Sequence, residues 1–560
     1  MAEASALPPE NVQQRDRELQ MPQGETLPYA LEHDPARPED ADVHSDGTVS
    51  LRLRIESAVA QSVEVVYFDD DFPRCAELTR RTYDAHLEVW ESEAISWTAP
   101  FEYYFRLQTV SGQALLGRRG LQGSLAREGR FRLPERYPVA VPAWARGAVF
   151  YQIFPDRFSR AGTVADALEA WDAPPTQSGF KGGSLAGITS RLDALADLGI
   201  DAMWLNPVFR SPSNHGYDIV DFFAVEPRLG TTADLRALTH EAHARGMRVI
   251  LDGVFNHVSE EHPFFLDVVE RGTDSPYWSW FKVRRWPIEA RDDTYYAAWW
   301  GFGHLPELDL EHPDVQAYFL DVGTHWIREA GVDGWRLDVA SEVPLEFWRR
   351  FRSAVRAVKP DAYLLAEVWG DARAFVGSDA FDATMHYPFR RAVLEFLRGA
   401  MGAEACARHL ERLYYRLSKE TAEVQYNLLG SHDVSRVRHD LGGDPELVAL
   451  ALAIQFAYPG IAALYYGDEV GLDGAGDPGC RGSYPWDRAV AWDGRDAVRR
   501  LTALRRSQPA LRHGLVHCRA LGPDTLEIER SLAGDVVTLL VDRAARRAEW
   551  SVGGSRLTVA

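Results

Sequence analysis

The chain has 560 residues, of which 46% are hydrophobic, and a formal net charge of −21. That length exceeds one ordinary domain, so we expect two or three domains with a sizeable core. The negative charge repels nucleic-acid phosphates and anionic lipid, which argues against nucleic acid and membrane as partners. The 17 Trp, 21 Tyr and 25 Phe exclude a disordered, solvating chain.

Cysteine usage and the absence of targeting signals predict the cellular compartment. Four cysteines lie far apart without CxxC spacing, which favours reduced thiols over a zinc site or a disulfide framework: Cys75, Cys406, Cys480 and Cys518. The N-terminal segment has no basic stretch followed by an apolar one, and no apolar run approaches membrane-spanning length. We therefore expect a cytoplasmic protein.

The first part of the chain is predicted to form β structure. Residues 1–27 are polar and predict a flexible N-terminus. After them, the segments VSLRLRIE, VEVVYF, HLEVW and FEYYFRLQ alternate apolar and polar residues, as strands with one buried face do. We predict an N-terminal β-sandwich over residues 28–134.

The central part of the chain repeats strand and helix patterns. Eight apolar runs, from AVFYQIFP (148–155) to IAALYYGDEVGL (461–472), alternate mostly with amphipathic stretches. This predicts an α/β fold, a (β/α)8 TIM barrel over 135–508. An open doubly wound sheet is the alternative, but no Gly-rich fingerprint follows the first strand. An irregular, Trp- and Tyr-rich stretch at about 259–310 predicts an inserted lobe after the third strand, and short strands predict a short C-terminal β domain over 509–560.

Polar residues cluster at the carboxyl ends of the predicted barrel strands. In a parallel barrel these ends form one face, where function is built. The third strand is followed or ended by Asp252, Asn256 and His257, the fourth by Arg336 and Asp338, the fifth by Glu367, and the seventh by His432 and Asp433.

This cluster predicts glycosyl transfer. A single acid at a strand end is readily explained as a buried salt bridge or cap, but three crowded acids are costly to bury without a function. A retaining mechanism needs one carboxylate nucleophile and one proton donor. Arg336, two residues before Asp338 on one strand, is expected to keep Asp338 ionised. Neighbouring negative charges are expected to raise the pKa of Glu367, which suits a proton donor.

At these residues the sequence resembles the α-amylase family of glycoside hydrolases, family 13. The motifs that carry the resemblance are DGVFNH (252–257), GWRLDVA (334–340), EVWG (367–370) and LLGSHD (428–433). With a β module in front of the barrel, the sequence is most similar to the group of neopullulanases, cyclomaltodextrinases and maltogenic amylases. The resemblance implies that residues 28–134 form a starch-binding-like module, and that the protein cleaves α-1,4 and in some members α-1,6 glucosidic bonds.

The resemblance also implies a role for each site residue. Asp338 would form the glycosyl-enzyme bond, Glu367 would act as acid and base, and Asp433 would grip sugar hydroxyls. The remaining substrate-binding residues would be His257 and His432 as hydrogen-bonding partners, Tyr217 as a stacking platform, and Asp477 and Arg481 at the next glucose. Asp252 and Asn256 would hold loops together. Trp300, with Trp299, would form a wall for glucose faces or, equally well, pack the inserted lobe.

Two departures from the group pattern change these expectations. Members of the group bind calcium through Asn and Asp residues and a Gly-Gly-Asp, where this chain has SRAGTVADALEAW (159–171) and Gly182-Gly183-Ser184. Because the oxygen ligands are largely missing, we expect a weak or absent calcium site, no other metal and no cofactor. The group also reads MPKLN where this chain has LPELD (305–309), so Glu307 replaces Lys and Asp309 replaces Asn.

The second departure leaves three functions open. The protein could act on cyclodextrins, maltooligosaccharides or pullulan with some transglycosylation, or it could be a plain α-amylase or α-glucosidase. A third reading is a catalytically inactive sugar-binding relative, but such a protein would typically have lost one of the three carboxylates. The resemblance further implies a homodimer in which the N-terminal module of one subunit covers the pocket of the other.

Overall fold

The computed structural model describes residues 31–557, except for residues 45, 70–71, 83–86, 110–111, 123–124, 135–139, 162–167, 290, 372, 377–379 and 491. The predicted flexible N-terminus, residues 1–27, lies outside these described residues. Among the described helices, none is long and apolar enough to cross a membrane.

The N-terminal part is an antiparallel arrangement of eleven strands. Its alternating apolar side chains, including Leu51, Leu53, Val65 and Phe105, are buried in a core of their own. The strands are Leu31–Glu32, Ala41–Val43, Thr48–Glu56, Ala60–Asp69, Phe72–Thr82, Leu87–Ser92, Ile95–Ser96, Glu102–Thr109, Gly112–Gly117, Gly120–Gln122 and Phe131–Arg132.

The central part is the predicted parallel barrel of eight strands. The sheet runs without interruption from the seventh strand through the eighth, first and second to the sixth, and a single bridge between Met385 and Tyr426 joins its two ends. The strands are Val149–Ile153, Ala202–Leu205, Arg248–Gly253, Gly334–Leu337, Tyr363–Ala366, Ala383–Thr384, Tyr426–Leu428 and Ile461–Tyr465.

Helices surround the barrel and follow most of its strands. An apolar face is buried in the core, as in Pro313–Ala330, where Phe319, Trp326 and Ile327 are buried. No helix separates the fifth and sixth strands in the described part of that connection. The other main helices are Leu185–Thr189, Leu192–Leu198, Thr232–Ala244, Leu345–Val358, Tyr387–Leu397, Ala403–Tyr415, Lys419–Ala422, Val437–Asp440, Pro445–Ala457, Arg495–Ser507 and Pro509–His513.

The inserted lobe after the third strand is more ordered than its sequence suggested. The expectation of an irregular stretch is wrong at Pro263–Arg271, which is a helix with His262 as its N-cap and Pro263 in its first turn. Phe265 and Val268 bury the apolar face of this helix. The rest of the lobe is held by isolated bridges, one of which pairs His257 with Glu307.

The C-terminal part is a five-stranded antiparallel meander, which confirms the predicted short C-terminal β domain. The buried guanidinium of Arg530 joins this sheet to the helices beside the barrel, because it donates to the carbonyls of Ala457, Leu511 and Gly514. The strands are Leu515–Gly522, Thr525–Leu532, Asp535–Asp542, Arg547–Val552 and Ser555–Leu557.

Candidate active site

The predicted site residues converge at the carboxyl end of the barrel. Asp338 directly follows the fourth strand and Glu367 directly follows the fifth. These two strands approach closely at Gly334, where a Cβ atom would lie 2.0 Å from the carbonyl oxygen of Tyr363. Glycine at this position therefore permits the spacing that sets the two carboxylates side by side.

Arg336 is the centre of the cluster and is fully buried. Its Nη1 lies 2.7 Å from Asp338 Oδ1 and 3.0 Å from Asp252 Oδ1. Its Nη2 lies 2.9 Å from Glu367 Oε2 and 3.9 Å from Asp433 Oδ2. One guanidinium therefore contacts all four carboxyl groups, and its single positive charge offsets part of the cost of burying them together.

Val339 joins the two predicted reacting carboxylates through a strained backbone. Its φ of 46° is in the left-handed region, which a β-branched residue rarely adopts. In this conformation its N–H donates to Glu367 Oε2 at 2.9 Å. Backbone strain of this kind persists where surrounding structure enforces it, typically at functional sites.

The protonation of the two carboxylates differs from the expectation. Burial and the negative charge of Glu367 raise the pKa of Asp338 well above its usual range, against the effect of Arg336. Burial has the largest single effect on Glu367 and disfavours its ionised form, while the charge of Arg336 favours that form. The N–H groups of Val339 and Trp369 and a hydrogen bond from Asp338 act in the same direction, so the pKa of Glu367 is lowered.

The predicted raised pKa of Glu367 is therefore wrong for the substrate-free protein. Glu367 accepts hydrogen bonds from Val339 and Trp369, whereas Asp338 accepts one from Arg336. A single proton shared by the two carboxylates therefore lies on Asp338. Proton transfer within the pair is then required before Glu367 can act as an acid.

Asp433 and His432 form the third part of the cluster. His432 Nε2 lies 3.0 Å from Asp433 Oδ1. Burial and the charge of Glu367 raise the pKa of Asp433 to about 7. Burial lowers the pKa of His432 well below its usual range, so the imidazole is neutral and carries one proton.

A buried hydrogen-bond chain that the sequence did not reveal determines where that proton lies. Asp252 Oδ2 accepts from Tyr217 Oη at 2.8 Å, and Tyr217 Oη accepts from Asn206 Nδ2 at 2.9 Å. Gln152 Nε2 donates both to Asn206 Oδ1, at 3.0 Å, and to His432 Nδ1, at 2.9 Å. Because Nδ1 accepts, the proton of His432 is on Nε2 and points at Asp433.

Asp252 and Tyr217 are linked by that chain. Asp252 also accepts from Trp204 Nε1 at 3.1 Å and is buried, and its pKa is raised by burial to about 6. The Tyr217 ring lies parallel to the His432 ring, with centroids 5.1 Å apart. The two rings are thus stacked beside the carboxylates, with their planes parallel.

His257 and the lobe tryptophans form a second aromatic group. The His257 ring stacks on Trp299 with centroids 5.4 Å apart, and Trp299 stacks on Trp300 at 5.5 Å. Trp300 is 67% exposed, has a φ of 49°, and donates from Nε1 to Glu342 at 2.9 Å. This exposure favours the predicted wall over packing within the lobe.

The remaining predicted residues border the same region. Asp477 Oδ1 and Arg481 Nη1 form an ion pair at 2.9 Å, and Arg481 Nε donates to the His432 carbonyl at 3.0 Å. Asn256 holds the lobe through its carbonyl, which accepts from the amide of Leu308 at 3.0 Å.

Trp369 is a further site residue that sequence reasoning missed. It donates from Nε1 to Glu367 Oε1 at 3.0 Å and stacks on Tyr387 with centroids 3.8 Å apart. Trp369 is 52% exposed. Its place two residues after Glu367 in EVWG was the available signal.

No group of three or more His, Cys, Asp or Glu side chains among the described residues could hold a metal ion.

Comparison with known proteins identifies the family of this site. The family model described as the catalytic domain of alpha-amylase matches residues 152–508. The chain belongs to the α-amylase family. It is 39% identical over 454 residues to a cyclomaltodextrinase of Bacillus sp, covering 79% of this chain and 81% of that protein. It is 35% identical over 486 residues to neopullulanase 2 of Thermoactinomyces vulgaris, covering 84% and 82%.

A solved structure gives the same result. A cyclomaltodextrinase superposes with a TM-score of 0.85 at 35% identity, covering 91% of this chain and 90% of the other. The predicted resemblance to family 13 and to its cyclomaltodextrinase and neopullulanase group is confirmed, and the protein is a glycoside hydrolase.

Proposed function

We propose that this enzyme hydrolyses α-1,4-glucosidic bonds with retention in cyclodextrins, maltooligosaccharides or pullulan. Asp338 is the nucleophile and Glu367 the acid and base. The observation that carries the proposal is the contact of one buried guanidinium, Arg336, with both carboxylates, at 2.7 and 2.9 Å. It sets them side by side, as a retaining mechanism requires.

The first step must begin with the shared proton on Glu367. When a sugar enters, its glycosidic oxygen approaches Glu367, and the proton moves from Asp338 to Glu367. Asp338 then attacks C1 while Glu367 protonates the leaving oxygen. The C1–O bond breaks, a bond between C1 and the Asp338 oxygen forms, and the leaving sugar carries the proton away.

The second step reverses the roles. Glu367, now a carboxylate, is stabilised by Arg336 and by the N–H groups of Val339 and Trp369. It takes a proton from water, which attacks C1 and releases Asp338. A sugar hydroxyl in place of that water gives transglycosylation.

The other residues hold the sugar. Asp433 binds hydroxyls of the reacting ring, aided by His432 and His257. The Tyr217 ring supports its apolar face. Asp477 and Arg481 bind the next glucose, and Trp300 forms a wall.

A plain α-amylase or α-glucosidase acting on linear glucans is the second candidate. Glu307 favours it, because its negative charge replaces the Lys of the cyclodextrin-cleaving group. Burial, and in addition the nearby charge of Glu307, raises the pKa of the Glu342 carboxyl. The product profile on β-cyclodextrin, pullulan, maltotriose and soluble starch separates the candidates. Rapid cleavage of cyclodextrin supports the first function, and strong preference for starch with cyclodextrin untouched supports the second.

Location and assembly are also proposed. A cytoplasmic site of action is supported by the four cysteines, all of which are free. A homodimer through the N-terminal module is supported by the family resemblance and by Phe72 of that module, which is 74% exposed. A monomeric mass in solution at micromolar concentration would contradict the proposed dimer.

A further inference from the structure

Lys181 is a fully buried lysine in the loop between the first and second barrel strands. Its side chain is 0% exposed. The ammonium donates to the carbonyl oxygens of Ala170, at 2.7 Å, and Ala173, at 2.9 Å, and lies 3.1 Å from Glu169 Oε2. The ammonium therefore has two carbonyl acceptors and one carboxylate as ion-pair partner.

The position of this ammonium coincides with the segments expected to bind calcium. Glu169 and Ala170 belong to the stretch 159–171, and Lys181 directly precedes Gly182-Gly183-Ser184. Two carbonyls and a carboxylate are ligands of the kind that Ca²⁺ takes. Here a cation of the chain itself lies among them, so the described residues do not fit a divalent ion, which would meet the ammonium as a like charge.

The surrounding oxygens are also engaged by the chain. Arg160 donates to the carbonyls of Lys181, at 2.6 Å, and Glu169, at 3.0 Å. Asp156 accepts from the amides of Lys181 and Gly182. A Cβ at Gly183 would lie 2.1 Å from the Pro155 carbonyl, so this turn packs tightly on the first strand end.

A lysine, and not an arginine, occupies this position in an arginine-rich chain. The chain has 61 basic residues, and only four of them are lysines: Lys181, Lys282, Lys359 and Lys419. A planar guanidinium spreads its donors over a fork, whereas an ammonium is a compact charge with three donors. It is the side chain that most resembles a small metal ion.

We propose that the Lys181 ammonium takes the place of the divalent cation and makes the fold of residues 168–184 independent of metal. The loop borders the sugar site. Gln177 Nε2 lies 3.3 Å from Asp477 Oδ2, and Asn214 Nδ2 donates to the Gly179 carbonyl at 2.9 Å. A fixed internal cation thus holds a wall of the site without calcium.

The test is the melting temperature of the full chain with EDTA and with Ca²⁺. The wild type should melt at the same temperature in both. Lys181→Met, which keeps the length of the side chain but removes its charge and donors, should melt lower by about 5 °C. The matched control is Lys282→Met at an exposed lysine, which should melt with the wild type.

A second variant tests the equivalence of ammonium and metal. Ser184 is the N-cap of Leu185–Thr189, a role that Asp fills equally well. In Lys181→Met/Ser184→Asp, a carboxylate returns and the ammonium is gone, so Ca²⁺ should raise the melting temperature and EDTA should lower it again. A wild type that melts lower with EDTA, or a Lys181→Met variant that melts with the wild type, would overturn the proposal. If Lys181→Met does not fold, the proposal is decided by the melting temperatures of the wild type with EDTA and with Ca²⁺.

Discussion

Gln152 lies outside every predicted role, yet it is expected to control Asp433. Gln152→Leu keeps the buried volume but removes the donors to Asn206 Oδ1 and His432 Nδ1. Each acceptor left unpaired costs about 1–3 kcal/mol, so the free energy of unfolding should fall by about 2–6 kcal/mol. The proton of His432 is then free to move to Nδ1, and the 3.0 Å contact with Asp433 loses its hydrogen.

The effect on catalysis follows from that lost bond. A hydrogen bond to a charged group contributes about 1.5–3 kcal/mol, which corresponds to a loss of about 10–100-fold in kcat/KM. The assays are kcat/KM on β-cyclodextrin, urea denaturation, and ¹⁵N NMR of labelled histidine, which should show a change of tautomer at His432.

Gln455 offers a matched control for this prediction. It is also buried, and its Nε2 donates to two acceptors, the carbonyls of Asn427 and Ala463, at 2.7 and 2.8 Å. Gln455→Leu should lose similar stability but leave the His432 tautomer unchanged. If Gln152→Leu keeps wild-type kcat/KM and the wild-type tautomer, the hydrogen-bond chain does not position Asp433 and the reasoning is refuted.

Three further predictions concern charge in the site. Asp433→Asn should stabilise the fold at pH 8 by at most about 4 kcal/mol. The raised pKa of about 7 makes ionised Asp433 unfavourable in the folded state, so the stability of the wild type falls as pH rises from about 4 through 7. The stability advantage of the variant should therefore vanish near pH 4. An equal advantage at pH 5 and pH 8 in urea denaturation would contradict this. Trp369→Phe removes a donor that lowers the pKa of Glu367, so the basic limb of the pH profile of kcat/KM should move to higher pH; a move to lower pH would show that the donor has the opposite effect. Glu307→Lys restores the charge of the cyclodextrin-cleaving group and should raise the ratio of cyclodextrin to starch hydrolysis. An unchanged ratio would show that Glu307 does not determine substrate specificity.

Much of the fold could be predicted from the pattern of apolar and polar residues along the sequence. Period-two alternation predicted the flanking β domains, and alternating apolar and amphipathic runs predicted the barrel, because both report which face is buried. The strand-end rule then brought Asp338, Glu367 and Asp433 together. The helix Pro263–Arg271 was missed because its nine residues gave a weaker signal than the aromatic, irregular sequence around it.

The finer electrostatics could not be predicted from the sequence. The pKa order of Asp338 and Glu367 depends on which carboxylate receives the N–H groups of Val339 and Trp369, and that is a matter of three-dimensional geometry. Gln152 and Asn206 likewise gave no sequence signal, because amide side chains on barrel strands are usually explained by packing. Their role is visible only from the direction of each hydrogen bond.

The identity of the nucleophile tests the central claim most directly. An activated α-maltosyl fluoride that carries a second fluorine on the sugar ring forms a glycosyl-enzyme that hydrolyses slowly, so peptide mass spectrometry can locate the adduct. We predict one maltosyl group on the peptide that contains Asp338, and none in Asp338→Asn. An adduct on Glu367 or Asp433, or turnover of the wild type with inversion at C1, would contradict the account.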